Sequence, residues 1–165
     1  MTTNGIFYKD EEIWTDYFYA DPIKMWVAVE ASFNNINSVR FFENIFNNSL
    51  SELILPVSSD LLRYFRGETV DFSIYNVDLS GYTLFQQNVL AAVRSIPERT
   101  CITYSQLAEM IGEPRAVRAV ANALGKNKTP IIIPCHRVVS KNGLGGFSCG
   151  VDLKLKLLKL ESIPD

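Results

Sequence analysis

At 165 residues, 47% of them apolar and 12% aromatic, the chain can bury a real core and fits one large domain or two small ones. No apolar run approaches the ~18 residues of a membrane span, and Asp10, Glu11 and Glu12 stand where a secretory signal would carry basic and then apolar residues, so a cytoplasmic location, nuclear in a eukaryote, is expected. The net charge of -2 hides an asymmetry: residues 1–80 hold 5 Lys and Arg against 12 Asp and Glu, residues 81–165 hold 11 against 6, and the second half is therefore the one suited to a polyanion.

In the first half, Gly5 to Tyr8, Trp14 to Tyr19 and Met25 to Phe33 are short runs rich in aromatic and β-branched residues, separated by polar or Asp-Pro turns, which predicts strands. Ser38 to Asn47 and Ser59 to Arg66 have amphipathic spacing and predict helices, the second capped by Ser59 or Asp60 and ended by Gly67. Glu68 to Ser80 is polar and predicts a connector. Nothing in this half carries evident chemistry.

The second half is more sharply punctuated. Phe85 to Ser95 predicts a helix that stops before Pro97. Thr103-Tyr104-Ser105-Gln106 fits a capping box opening a short helix with Leu107, Met110 and Ile111 inward and Gly112 at its end. Pro114 suits the first turn of a following helix that runs to Gly125. Two short helices joined by a Gly-containing turn form the helix-turn-helix pattern, which also occurs in proteins that never touch DNA. On the second helix Val117, Val120, Ala121 and Leu124 fall on one side, Arg115, Arg118, Ala119 and Asn122 on the other, with Ala116 and Ala123 at the border. Small residues around two arginines allow close approach to a groove; an ordinary solvated face is the alternative.

Pro134-Cys135-His136-Arg137-Val138 sets a cysteine beside the chain's single histidine. A thiol is nucleophilic as thiolate, and an adjacent imidazole is the simplest proton acceptor, although a buried Cys beside a surface His would also read this way. Cys101, Cys135 and Cys149 are an odd number with no Cys-x-x-Cys, which disfavours a disulfide framework or a zinc site. In the last segment, Leu153, Leu157, Leu160 and Glu161 share one helical face, which carries Glu161 toward the interior, where a carboxylate needs a partner. His136 is a natural one, and a Glu orienting a His that activates a Cys follows the logic of a triad.

These residues resemble a known family. Ile131-Ile132-Ile133-Pro134-Cys135-His136-Arg137-Val138-Val139 is similar to the active-site signature of the O6-alkylguanine-DNA alkyltransferases, also called methylated-DNA-protein-cysteine methyltransferases. Phe85-Gln86-Gln87, Val89, Ile96-Pro97, Thr103-Tyr104, Leu107-Ala108, Gly112, Pro114, Ala116, Arg118-Ala119-Val120, Ala123 and Asn127 match upstream in order and spacing. Gly143 to Ser148, Lys154, Leu157-Leu158 and Glu161 continue the match, and Leu62 to Gly67 resembles the family's approach between domains.

The resemblance implies a variable α/β N-terminal domain, residues 1–77, with a small antiparallel sheet plus helices of ribonuclease-H-like type. It implies a mostly α C-terminal domain, residues 78–165, with a winged helix-turn-helix. Cys135 would accept the alkyl group from O6 of guanine, possible also from O4 of thymine, while Glu161 and His136 draw off its proton through a water. Tyr104 would donate to the guanine ring. Arg118 would fill the stack after nucleotide flipping, with Arg115, Ala116, Ala119, Asn122, Ala123 and Tyr104 also meeting DNA in the minor groove. Pro134, Val138, Asn127, Phe147, Ser148 and Cys149 would shape the pocket, with backbone carbonyls near Cys135 and Val138 reading the base. The implied partner is double-stranded DNA containing O6-alkylguanine, bound by a monomer without membrane, cofactor or metal, in a single irreversible transfer.

Three departures matter: Lys128 stands where Pro is usual, Phe147 where Tyr is common, and Cys149 where Gly or a bulky residue is typical. The alternatives are a non-catalytic sensor of alkylated bases, which would lack the thiol at 135, a helix-turn-helix transcription regulator, and a cysteine hydrolase.

Overall fold

A computed structural model of the protein describes residues 13–44 and 55–162. Strands β1 (Trp14–Ala20), β2 (Met25–Ser32) and β3 (Asn35–Phe42) form an antiparallel meander in the order β1-β2-β3. The alternation in β1 sends Asp16, Phe18 and Ala20 inward and Tyr17 and Tyr19 outward, while Val27, Ala28 and Val29 of the central strand are all buried. The expected strand at Gly5 to Tyr8 lies outside the described residues.

Ser38 to Asn47 does not begin as a helix. Asn35–Phe42 pairs with β2 from Trp26↔Phe42 to Ser32↔Asn35, with a bulge at Glu30/Ala31, and the rest of that segment past Asn44 is outside the described residues. The helical spacing of its apolar residues lost to a non-local ladder in which Ile36 and Val39 are buried and Glu30 receives Ser38 and Arg40 across the strands. The outer edge of β3 is covered: Ile36 N–H donates to Asn76 O at 2.8 Å, Asp78 N–H to Ile36 O at 3.1 Å, and Val39 N–H to Lys128 O at 2.8 Å.

Helix α1 (Pro56–Phe65) starts earlier than Ser59, because Pro56 supplies a pre-set first turn and Asp16 of β1 accepts from Leu55 N–H at 2.8 Å. It ends before Gly67, whose φ is +83°. Helix α2 (Leu84–Arg94) carries a Thr83/Gln86 capping box, and β4 (Ile102–Thr103) leads into α3 (Tyr104–Met110) through the Thr103/Gln106 box. Met110 is 53% exposed, so the inward face of α3 is Leu107 and Ala108 instead. Helix α4 (Val117–Leu124) begins three residues beyond Pro114, which sits in the turn after Gly112. Strand β5 (Val138–Val139) pairs with β4 in parallel, and α5 (Val151–Leu160) closes the described chain. None of these helices is long and apolar enough to cross a membrane.

Two apolar clusters form, and they do not divide at residue 77. The first joins the inner sheet face and α1 to Ile131, Ile132, Leu153 and Leu157, and the second joins α2, α3 and α4 to Ile133, Cys135 and Val138. The segment Ile131 to Val138 is thus a seam between them. Leu157→Ala should therefore cost about 2–5 kcal/mol in one transition seen equally by Trp14 and Trp26 fluorescence, both in the sheet, and by helical circular dichroism. Urea melts with separated transitions would contradict the shared core.

Candidate active site

The seam is a chain of tight turns. Ile131 has φ +75°, Pro134 adopts φ -79° and ψ 61°, and Cys135 N–H donates to Ile133 O at 2.7 Å before Cys135–Arg137 complete one 3-10 turn. The side-chain amide of Asn127, just past α4, braces this turn by donating to Ile133 O at 2.9 Å and to Cys135 Sγ at 3.0 Å, while its oxygen accepts from Thr129 N–H at 3.0 Å. Cys135 is 5% exposed. Burial pushes its thiol up to about 12, against the opposing pull of the Asn127 hydrogen bond, so the resting group is protonated.

Behind it lies a buried polar cluster. His136 Nε2 is 2.8 Å from Glu161 Oε1, and Arg137 clamps the same carboxylate with Nη2 at 2.9 Å from Oε1 and Nε at 2.9 Å from Oε2. Tyr64 from α1 donates to Oε1 at 2.8 Å, and Arg99 N–H reaches Oε2 at 3.4 Å. Burial opposes ionisation of Glu161, but the hydrogen bonds from His136 and Arg137 outweigh it and hold the carboxyl well below the usual range. Burial also lowers His136, more than Glu161 raises it, so the ring is neutral. With Nε2–H directed at the carboxylate, the lone pair sits on Nδ1, which has no hydrogen-bond partner among the described residues.

A cavity of about 330 Å³ opens in front of Cys135, lined by Tyr104, Asn122, Ser140, Gly145, Phe147 and Ser148 among others. The Tyr104 hydroxyl donates to Gly146 O at 3.2 Å. Gly145 has φ +70°, and a Cβ there would lie 2.8 Å from the Tyr104 ring and 3.2 Å from Ser140 N, so only glycine lets this loop lie against the tyrosine. Lys154, fully buried, ties the same loop down: Nζ donates to Val138 O at 2.6 Å, Leu144 O at 2.5 Å and Gly146 O at 3.2 Å. Burial brings its ammonium down to about 8, with Cys135 and Cys101 acting in the opposite direction.

Cys135 and Tyr104 therefore share the cavity with Phe147 and Ser148, with Asn127 bonded to the thiol, while His136 and Glu161 pair in the buried cluster that adjoins Cys135 along the backbone. Cys149 does not line the cavity; with Lys128 and Ser148 it lines a neighbouring groove of about 480 Å³ beside β3. Pro134 faces a cavity behind the seam, and Val138 is fully buried with its carbonyl bonded to Lys154. On α4 and the turn before it, Arg115, Arg118, Ala119 and Asn122 are exposed and Ala116 is half-buried. Ala123 is 2% exposed and packs in the second cluster, so it presents nothing to a partner: its border position on the wheel turns inward once α2 docks. Sequence reasoning missed Tyr64, Arg137 and Lys154. All three were among the matching residues without a role, Tyr64 within Leu62 to Gly67, and for Lys154 a lysine one step from Leu153 on a buried face was the available signal.

The comparisons fall on the same residues. A family model for the DNA binding domain of 6-O-methylguanine DNA methyltransferase matches residues 84–163. A probable methylated-DNA-protein-cysteine methyltransferase of Acanthamoeba polyphaga mimivirus is 46% identical over 114 residues, 67% of this chain and 76% of that protein. The methylated-DNA-protein-cysteine methyltransferase of Metallosphaera sedula is 45% identical over 115 residues, 70% of this chain and 69% of that one. The chain belongs to the methylated-DNA-protein-cysteine methyltransferase family. Its fold agrees: Mycobacterium tuberculosis OGT, crystallised in complex with DNA, aligns at a TM-score of 0.75 and 32% identity over 89% of this chain and 91% of that one. As a member of this enzyme family it is a methyltransferase of DNA repair, and the matched residues include the cysteine, the histidine and the buried glutamate.

The cluster makes stability depend on pH with a defined sign. The folded methyltransferase keeps His136 neutral, whereas an unfolded chain protonates it below its ordinary 6.5, so stability falls as pH drops through that value. Glu161, depressed in the fold, adds a second loss as pH falls below its ordinary 4.5. Urea midpoints from pH 7.5 to 3.5 should show both steps, the first with a slope of at most about 1.4 kcal/mol per unit. His136→Gln should erase the first and keep the second.

Proposed function

We propose that this methyltransferase repairs DNA by direct reversal, moving one alkyl group irreversibly from O6 of guanine to Cys135. The carrying observation is a buried thiol at the floor of the cavity, with a neutral imidazole and an ionised carboxylate behind it. With Cys135 pushed up to about 12, the thiolate is of order 1 in 10^4 to 10^5 of molecules near neutral pH, so deprotonation accompanies attack. The proton passes through one bridging water to Nδ1 of His136, the sulfur bonds to the alkyl carbon, and the carbon–oxygen bond breaks. The electron pair goes to the guanine, which Tyr104 stabilises by releasing Gly146 O and donating to the ring. Displacement at carbon needs neither metal nor redox cofactor, and the thioether has no bond that water readily cleaves, so one molecule accepts one alkyl group.

The lesion must leave the duplex to reach a buried thiol, at a cost of a few kcal/mol. In this reading residues 78–165 are the DNA-binding and catalytic domain, with α3 and α4 as the helix-turn-helix of a winged fold. Residues 1–77 are an α/β domain of ribonuclease-H-like type. The exposed face of Arg115, Arg118, Ala119 and Asn122 enters the minor groove, and Arg118 takes the place of the flipped nucleotide. The protein acts as a monomer on double-stranded DNA, and Cys149, beside the pocket, influences which alkyl groups fit.

Intact-protein and peptide mass spectrometry with equimolar duplex bearing one O6-methylguanine tests the chemistry. A single methyl on Cys135, none in Cys135→Ser and no further gain with excess substrate is the expected result. Duplex binding without any mass change would make the protein a lesion sensor. Arg118→Ala should slow repair of a paired lesion by roughly 10-fold or more, and much less when the lesion is unpaired, because the stacking cost is then already met. Single-turnover kinetics on the two substrates checks this.

A further inference from the structure

The hydroxyl of Tyr64 comes from α1, outside the residues matched by the family model, and meets Glu161 across 97 positions of sequence. It donates to Oε1 at 2.8 Å, the same oxygen that His136 Nε2 approaches at 2.8 Å and Arg137 Nη2 at 2.9 Å. Its own separation from His136 Nε2 is 3.4 Å, the third side of a triangle whose apex is the carboxylate oxygen. Tyr64 is 3% exposed, and burial together with the charge of Glu161 keeps its hydroxyl protonated, so it has a proton to donate to the carboxylate.

A carboxylate oxygen offers about two lone-pair directions. Here one O–H and three N–H groups compete for them, Arg137 Nε adding a longer contact at 3.3 Å, which leaves no capacity to take up the His136 proton. We infer that Tyr64 is a positioning residue for the relay, saturating the Glu161 oxygen that His136 faces and so holding the imidazole proton on Nε2 and the basic lone pair on Nδ1. Without the hydroxyl, Oε1 concentrates its charge on Nε2–H and the imidazole becomes more basic, so more of it is already protonated when Cys135 needs an acceptor. The first half of the chain thereby supplies a part of the site. The kinetic consequence rests on the relay proposed above; the state of the ring does not.

Glu161, Arg137 and Lys154 act on the ring, Arg137 and Glu98 on Tyr64, and Glu161 also on Cys101, and Tyr64→Phe leaves all of these groups in place. His136 is the chain's single histidine, so in tag-free protein its labelled ring can be followed by nuclear magnetic resonance without assignment. The wild-type ring should be Nε2–H with a midpoint below 6.5, and Tyr64→Phe should raise the midpoint by about half to one unit. Alkyl-transfer rates on the acid side should then fall about 3- to 10-fold, with duplex affinity unchanged. A variant that loses thermal stability while its midpoint stays or falls would reduce Tyr64 to packing and overturn the inference. Should the variant fail to fold, the wild-type tautomer decides: Nε2–H supports it and Nδ1–H overturns it. A ring that shifts as expected while the rates do not follow supports the placement of Tyr64 and refutes the relay.

Discussion

An ionised carboxylate in the interior is the constraint on which the rest depends. Taking a charge such as that of Glu161 out of water costs several kcal/mol after relaxation, and only well-directed donors recover it. Tyr64 comes from α1, Arg99 from the turn before β4, and His136 and Arg137 from the seam, so the charge is satisfied only when all of these are docked. Arg137 extends the same requirement by donating to Ile96 O at 2.8 Å, which fixes the end of α2 against the seam. Local elements that would be marginal alone are thereby held to one arrangement.

The seam itself illustrates what that arrangement makes tolerable. A β-branched residue at φ +75°, as at Ile131, belongs to a class of backbone strain costing about 1–3 kcal/mol, and it persists only where the surroundings over-determine it. Ile131 and Ile132 are anchored in one apolar cluster and Ile133 and Cys135 in the other, so the chain must reverse within two residues. The reversal lets Asn127 reach both Ile133 O and Cys135 Sγ. Packing on both sides, more than any local preference, is what presents the thiol at the cavity floor.

What could be read beforehand follows the range of the interaction. The Thr103/Gln106 box, the stop at Gly112 and the inward face of α5 are encoded within a few residues and were legible, as was the proximity of Glu161 to His136 once the helix face was drawn. Ser38 to Phe42, within the strand Asn35–Phe42, was read as the start of a helix because its apolar spacing satisfies both periods and only pairing with β2 decides between them. Ala123 was left at a border that α2 resolves. Tyr64 lies in the family-like run Leu62 to Gly67, but nothing local marks its role: a tyrosine in an amphipathic helix is ordinary core until the helix is placed over the C-terminal carboxylate.

The protonated state of Cys135 fits a thiol that is spent once. An exposed thiolate reacts with any oxidant or electrophile in solution, and in a protein consumed by a single transfer, as proposed, each such event destroys one molecule. Burial suppresses that loss by pushing the thiol up to about 12, and it would equally suppress the repair reaction were there no way to remove the proton during attack. In the proposed relay a neutral imidazole with its lone pair on Nδ1 meets that need without raising the resting thiolate population. The saturated Glu161 oxygen then has a purpose beyond charge balance, since a ring made too basic would be protonated before the lesion arrives. On this argument burial protects the nucleophile, and the polar cluster behind it serves to relieve the penalty of that burial at one step only.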